Sequence, residues 1–220
     1  MKMPSAKSKT SGLTLIEVFL VLGVIAVIAA ILLPALRSSG HHSYQTTCMN
    51  NLQRIDISFV VFADDNQERF PMQIPVANGG TMEFIYSEHT FPHYQKIKDY
   101  IHNTWCFICP FETNRQAAVS FEALNDLNIS YFLNADASTN NPTRTILAGD
   151  RFLQLNGQPI QPGLFVLNTN SNVGWTPNFH LSGGSLAFAD GHVEFSSSKN
   201  GNLNSFIQNQ PLATNRLCIP

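Results

Sequence analysis

The chain has 220 residues and a formal charge of −2 with its seven histidines neutral. That balance argues against a nucleic-acid binder working through broad phosphate neutralisation, which needs a basic face. Charged residues make up 13%, against about 25% in an average soluble domain; Asn, Ser, Thr and Gln carry much of the remaining polarity, as suits an exported domain in a crowded assembly.

Residues 1–12 are polar, with Lys2, Lys7 and Lys9 and no acid. Positive charge ahead of an apolar segment holds that end in the cytoplasm. From Val18 to Leu33 no side chain is polar, yet Glu17 sits just inside the front edge and Pro34 near the back. A helix from Leu13 to Leu36 would span roughly 36 Å, enough for a hydrocarbon core of about 30 Å. A carboxylate in such a segment costs roughly 2.5–3.5 kcal/mol and marks a functional site by default. A secretory signal shares the basic-then-apolar layout, but this run exceeds an ordinary signal core and no small-residue cleavage site follows it. An uncleaved signal anchor is the plain alternative, with Glu17 snorkelling to the headgroups.

Gly12-Leu13-Thr14-Leu15-Ile16-Glu17 resembles the processing site of type IV prepilins and type II secretion pseudopilins. The resemblance implies cleavage between Gly12 and Leu13 by a prepilin peptidase, with N-methylation of Leu13. The family's usual residue after the cut is Phe, so Leu13 is a departure. Glu17 and Pro34 fall at the family's offsets for its conserved-type acid and its helix-kinking proline. In a filament, Glu17 of one subunit would pair with the Leu13 amine of a neighbour, neutralising two charges that a dry core penalises.

Beyond Leu36 the pattern weakens, and Gly40 is poor helix material. Leu52, Ile55, Phe59 and Phe62 then recur at three- and four-residue steps, an amphipathic stripe. This predicts one long helix, bent at Pro34 and loosened near Gly40, ending around Asp64-Asp65-Asn66 with its stripe against a sheet. Two separate helices are the alternative. Asp64, Asp65 and Asn66 offer oxygens of the kind calcium takes, but without an EF-hand pattern they read better as a solvated helix end.

Met82–Tyr86 reads as a short strand or turn. Pro92–Ile101 reads as a short helix with Tyr94, Ile97 and Ile101 on one face. In Trp105-Cys106-Phe107-Ile108-Cys109-Pro110, the C-x-x-C spacing admits half a zinc site, a redox pair or structural disulfides. Cys48 and Cys218 complete the cysteines, and four allow three pairings. The segments Cys48–Leu52, Asp64–Asn66, Phe70-Pro71 and Cys109-Pro110 resemble a large pseudopilin-like group. That resemblance implies a Cys48–Cys109 disulfide, leaving Cys106 and Cys218 to pair.

Short strands are predicted at Ile129–Leu133, Thr145–Ala148 and Leu164–Leu167. Residues 134–142 read as loop, Asp150 as a strand end, and Asn156-Gly157 as a hairpin-type turn. Near the end, Leu186 and Phe188 alternate with Ala187 and Ala189, and Val193 and Phe195 alternate with His192 and Glu194, around Asp190-Gly191. Asp-Gly between alternating runs predicts a hairpin with both turn residues at positive φ. His180, nine residues and Asp190-Gly191 resemble the C-terminal motif of the same group. His180, Asp190 and His192 offer a base and acids on paper, but no nucleophile motif accompanies them, so a structural role is expected rather than catalysis or a metal centre.

The sequence therefore predicts an α+β, pilin-like protein with a long N-terminal transmembrane and filament helix packed on an antiparallel β-sheet. Its parts are a leader at 1–12, a membrane segment at 13–36, the outer half of the helix at 37–65 and a globular head at 66–220. The resemblance implies a structural, non-enzymatic subunit of a secretion or pilus filament. It would sit in the inner membrane, with its N-terminus cytoplasmic and its head outside. Its partners would be other pilin-like subunits, the prepilin peptidase and methyltransferase, and an inner-membrane assembly platform. No nucleic acid and no cofactor are expected. The rival reading is an uncleaved, membrane-anchored extracytoplasmic enzyme or ligand-binding domain. A DNA-uptake pilin would need a basic surface patch.

Overall fold

The computed structural model describes residues 14–87, 89–140, 142–177, 179–180, 182–197 and 203–220, with the side chains of 33–42 left aside. The chain divides into two compact units, Met1–His42 and Ser43–Pro220, each described by itself. Helix α1 runs from Leu15 to Asp65, 51 residues, and its assignment continues across Pro34 and Gly40. The single-helix expectation holds over the two-helix alternative. In the first unit, the stretch Leu15–Leu32 is apolar and unburied.

In the second unit, Cys48, Leu52, Ile55 and Phe59 of α1 are buried with Phe62 and Ala63, the stripe expected from the three- and four-residue spacing. The helix stops where Gln67 and Glu68 take left-handed backbone, and the Asn66 and Glu68 amides donate to the Ala63 carbonyl. Left-handed residues close helix ends by satisfying the last carbonyls. The Asn66 side chain donates to the Phe62 carbonyl at 2.7 Å, and the Tyr100 hydroxyl donates to Asp65. Asp65 and Asn66 thus serve the helix end.

The chain then passes through short 3-10 turns. Met82–Tyr86, read as strand or turn, is one of them. Helix α2, Phe91–Lys96, carries Pro92 in its first turn and ends earlier than expected, although Tyr94, Ile97 and Ile101 are all buried.

Nine strands follow among the described residues: β1 (Tyr131–Asn134), β2 (Ile146–Asp150), β3 (Leu153–Leu155), β4 (Gln158–Pro159), β5 (Gly163–Asn168), β6 (Val173–Trp175), β7 (Gly183–Phe188), β8 (Val193–Ser197) and β9 (Thr214–Ile219). Helix α3 (Leu203–Gln208) lies between the last two. Six strands make one antiparallel sheet in the order β5-β9-β1-β2-β7-β8, and three make a second in the order β4-β3-β6. The large sheet is a middle layer. Ala187 on β7 and Ala189 just past its end belong to the core shared with α1. Leu186 and Phe188 belong to a second core with Trp175 of β6 and Leu203 and Ile207 of α3. Successive residues of a strand face opposite ways, so the alternation of small and large side chains assigns one face to each core.

Both expected hairpins form, with a correction. At Asn156-Gly157 both residues have positive φ (51° and 79°), joining β3 to β4. At Asp190-Gly191 only Gly191 does, at 92°. The Gly191 amide donates to the Phe188 carbonyl, and the Phe188 amide to that of His192. The loop is therefore a three-residue one, Ala189-Asp190-Gly191, with glycine forming the bulge.

Candidate functional site

Two places concentrate polar groups where burial or an apolar setting makes them costly. The first is the start of α1. The Thr14 amide and hydroxyl donate to Glu17 Oε2 at 2.7 and 2.8 Å, and the Glu17 amide donates back to the Thr14 hydroxyl at 3.4 Å. Thr14-x-x-Glu17 is a capping box, which satisfies helix-start donors by reciprocal side-chain bonds. Its signature is local, Thr three residues before Glu ahead of an apolar run, yet the box was not among the expectations drawn from sequence. Glu17 therefore has an intramolecular partner that does not involve the Leu13 amine. The expected cleavage site, Gly12 and Leu13, lies outside the described residues. Pro34 lies within α1, its side chain outside them.

The second place is inside the head. Cys48 of α1 and Cys109 are joined by a disulfide spanning a separation of 61 residues, the pairing the resemblance implied. The expected second pair is corrected: Cys106 and Cys218 are buried, separate thiols. Cys106 sits in a 3-10 turn with its thiol donating to the Asn103 carbonyl. Cys218 lies in the middle of the sheet, paired with Leu133 of β1 and Leu164 of β5. Burial pushes both thiols up to about 12.

His180 Nε2 lies 3.2 Å from Cys109 Sγ. Its backbone is left-handed, with φ at 42°. Its ring packs between Phe111 and Phe179, at centroid distances of 5.0 and 4.3 Å. Asp150, at the end of β2, is completely buried, with Tyr131 beside it on β1. The Ser185 amide donates to its Oδ2 at 2.7 Å, while Oδ1 has no hydrogen-bond partner. Burial raises the Asp150 carboxyl to about 7. One donor atom each from Cys48, Cys109, Asp150 and His180 lie within 4.8 Å of one another, all four residues buried. Among the described residues, this is the group whose chemistry suits a metal ion.

The motif residues part company here. His180 joins this cluster, but Asp190 does not. Asp190 pairs with His192 Nδ1 in the hairpin loop, and His192 stacks on Phe188 with ring centroids 4.3 Å apart. Asp190 and His192 thus support a turn, as expected of polar residues beside a tight bend. Asp150 itself was read only as a strand end. Its partners come from distant segments, so nothing local signals its role. Equally unannounced by sequence is the buried Glu112 carboxylate, which bonds Arg115 at 2.8 Å and Arg151 Nε at 3.0 Å. That group ties the loop after Cys109 to the residue following Asp150.

The fold defines the class: an α+β protein with one N-terminal apolar helix, an antiparallel sheet and an internal disulfide. By length and composition the helix is adequate for a membrane anchor, a standard a signal sequence also meets. Searches against family models, curated proteins and solved structures returned no match.

Proposed function

We propose that this chain is a pilin-like or pseudopilin subunit, matured by cleavage after Gly12 and assembled into a filament of a type II secretion or type IV pilus machine. The observation that carries it is the unburied apolar stretch Leu15–Leu32 with a carboxylate three residues in, on the same helix that supplies the head with Cys48, Leu52, Ile55 and Phe59. A helix this apolar needs lipid or other helices around it, and neighbouring subunits supply the second environment. The capping box holds the Glu17 carboxylate at the helix start, where the new N-terminal amine of an adjacent subunit would meet it. The subunit would sit in the inner membrane with its head outside, where the Cys48–Cys109 disulfide persists.

Intact-mass analysis of the chain extracted from membranes of its own host tests this. Loss of residues 1–12 with one added methyl on Leu13 supports the filament reading. An intact N-terminus overturns it in favour of an anchored extracytoplasmic enzyme or binding domain.

A further inference from the structure

We propose that the Cys48–Cys109 disulfide and a zinc ion are alternative occupants of one buried site, the metal being held by Cys48, Cys109, His180 and Asp150 when the disulfide is reduced. The inference stands independently of the filament reading.

The donor set comes first. Two thiolates, an imidazole and a carboxylate are the ligands of four-coordinate zinc, at about 2.3 Å for sulfur and about 2.0–2.2 Å for nitrogen and oxygen. Tetrahedral ligands at those lengths stand roughly 3.3–3.8 Å apart, and the four donor atoms here already lie within 4.8 Å of one another. His180 Nε2 is 3.2 Å from Cys109 Sγ, so imidazole and sulfur need little rearrangement. The two sulfurs must separate on reduction, and donor pairs at the wide end of that range must close by about 1 Å.

Asp150 supplies the second, independent indication. A carboxylate oxygen buried without a hydrogen-bond partner is costly, and Oδ1 of Asp150 is such an atom while Oδ2 is held by the Ser185 amide. A fixed Oδ2 with a bare Oδ1 is how a metal-bound carboxylate is oriented by its surroundings. The disulfide form leaves that oxygen unsatisfied; the zinc form satisfies it. Phe111 and Phe179 wall the imidazole, giving the apolar shell that excludes water from a structural site.

The chemistry balances. A dithiol reductant transfers two electrons and two protons to the Cys48–Cys109 bond. That bond breaks to two thiols, and the reductant closes to its own disulfide. Zinc then binds as both thiols lose their protons to solvent, together with any proton on Asp150, while neutral His180 donates its Nε2 lone pair. Oxidation and metal are mutually exclusive because the same two sulfurs serve both bonds. The head is thereby cross-linked between α1 and the Cys109 loop in either redox condition.

The test uses the full chain in detergent micelles, with Zn2+ or Co2+ alone as the probe. The chain is reduced with a water-soluble phosphine, which takes up the disulfide's two oxidising equivalents as phosphine oxide. After desalting, metal content and the Co2+ absorption spectrum are measured. The expected result is one equivalent of metal in the reduced chain and none in the oxidised chain, with the intense bands of tetrahedral, thiolate-bound cobalt. His180→Gln and Asp150→Asn should each weaken binding by on the order of tenfold or more. The doubly substituted Cys106→Ser, Cys218→Ser chain should keep its full equivalent, excluding the free thiols as the ligands. Circular dichroism of each oxidised variant checks that its fold survives. Reduced chain that holds no metal, or binds it equally after His180→Gln, overturns the proposal. So does a chain that unfolds on reduction and is not refolded by zinc.

Discussion

Glu17→Gln keeps an acceptor within reach of the Thr14 amide and removes the charge. The capping box should therefore survive, with membrane insertion unchanged, while filament yield falls if the carboxylate also meets a neighbour's amine. Glu17→Ala loses both roles and should weaken the helix start. Sheared-filament yields for the two variants decide: wild-type yield from Glu17→Gln confines this carboxylate to capping. A second carboxyl, Asp56, is completely buried on α1 with neither oxygen hydrogen-bonded. Burial, with the Asp190 charge adding, pushes it from 3.8 up to about 8. Between those values the folded chain holds a proton that the unfolded chain has lost, so stability falls as pH rises. Asp150, raised in the same direction, adds to the trend. Thermal unfolding should show stability falling as pH rises between about 4 and 8, and Asp56→Asn should reduce that slope to the share contributed by Asp150. An unchanged slope in the variant would show that Asp56 is already ionised in the fold.

Among the elements, the two sheets approach closely at Gly184. A Cβ on Gly184 of β7 would sit 2.5 Å from the Trp175 ring of β6. Gly184→Ala should push that ring out of the second core and cost about 1–3 kcal/mol. The measurement is a lower unfolding midpoint together with red-shifted emission from Trp175, which is nearly buried, whereas Trp105 is half-exposed. Periodicity made α1 and the β7–β8 hairpin legible, because spacing of three and four or of two encodes which side chains face a core. It left β6, β9 and α3 unread, since their burial depends on a second layer that no local pattern announces. The Asp-Gly and Asn-Gly turns show the same limit: both are hairpins, but which residues reach positive φ depends on the strand register around them. The buried cluster was half legible. His180 and Cys109 were singled out by motif, whereas Asp150 enters it only through sheet pairing.

For the whole molecule, the cysteine state gives a clean experiment. Alkylation of the native, unreduced chain should label no cysteine, because both free thiols are buried and held as thiols. Unfolding without reduction should expose two, and unfolding with reduction all four. Four reactive thiols before reduction would remove the disulfide. Replacing Cys48 by Ala should cost about 2–4 kcal/mol, as expected for a cross-link closing a loop of this size, and should be felt throughout the Ser43–Pro220 unit that the bond spans.

Strand β9 comes last in chain order, yet it sits between β5 and β1. A chain emerging end-first therefore holds β5 apart from the β1-β2-β7-β8 group, and both facing edges lack a partner until residues 214–219 arrive. Unpaired edges are the surfaces that mispair with other chains. Completing the large sheet therefore waits on residues 214–219. Any step that delays delivery of those residues lengthens the interval in which other chains can pair with those edges.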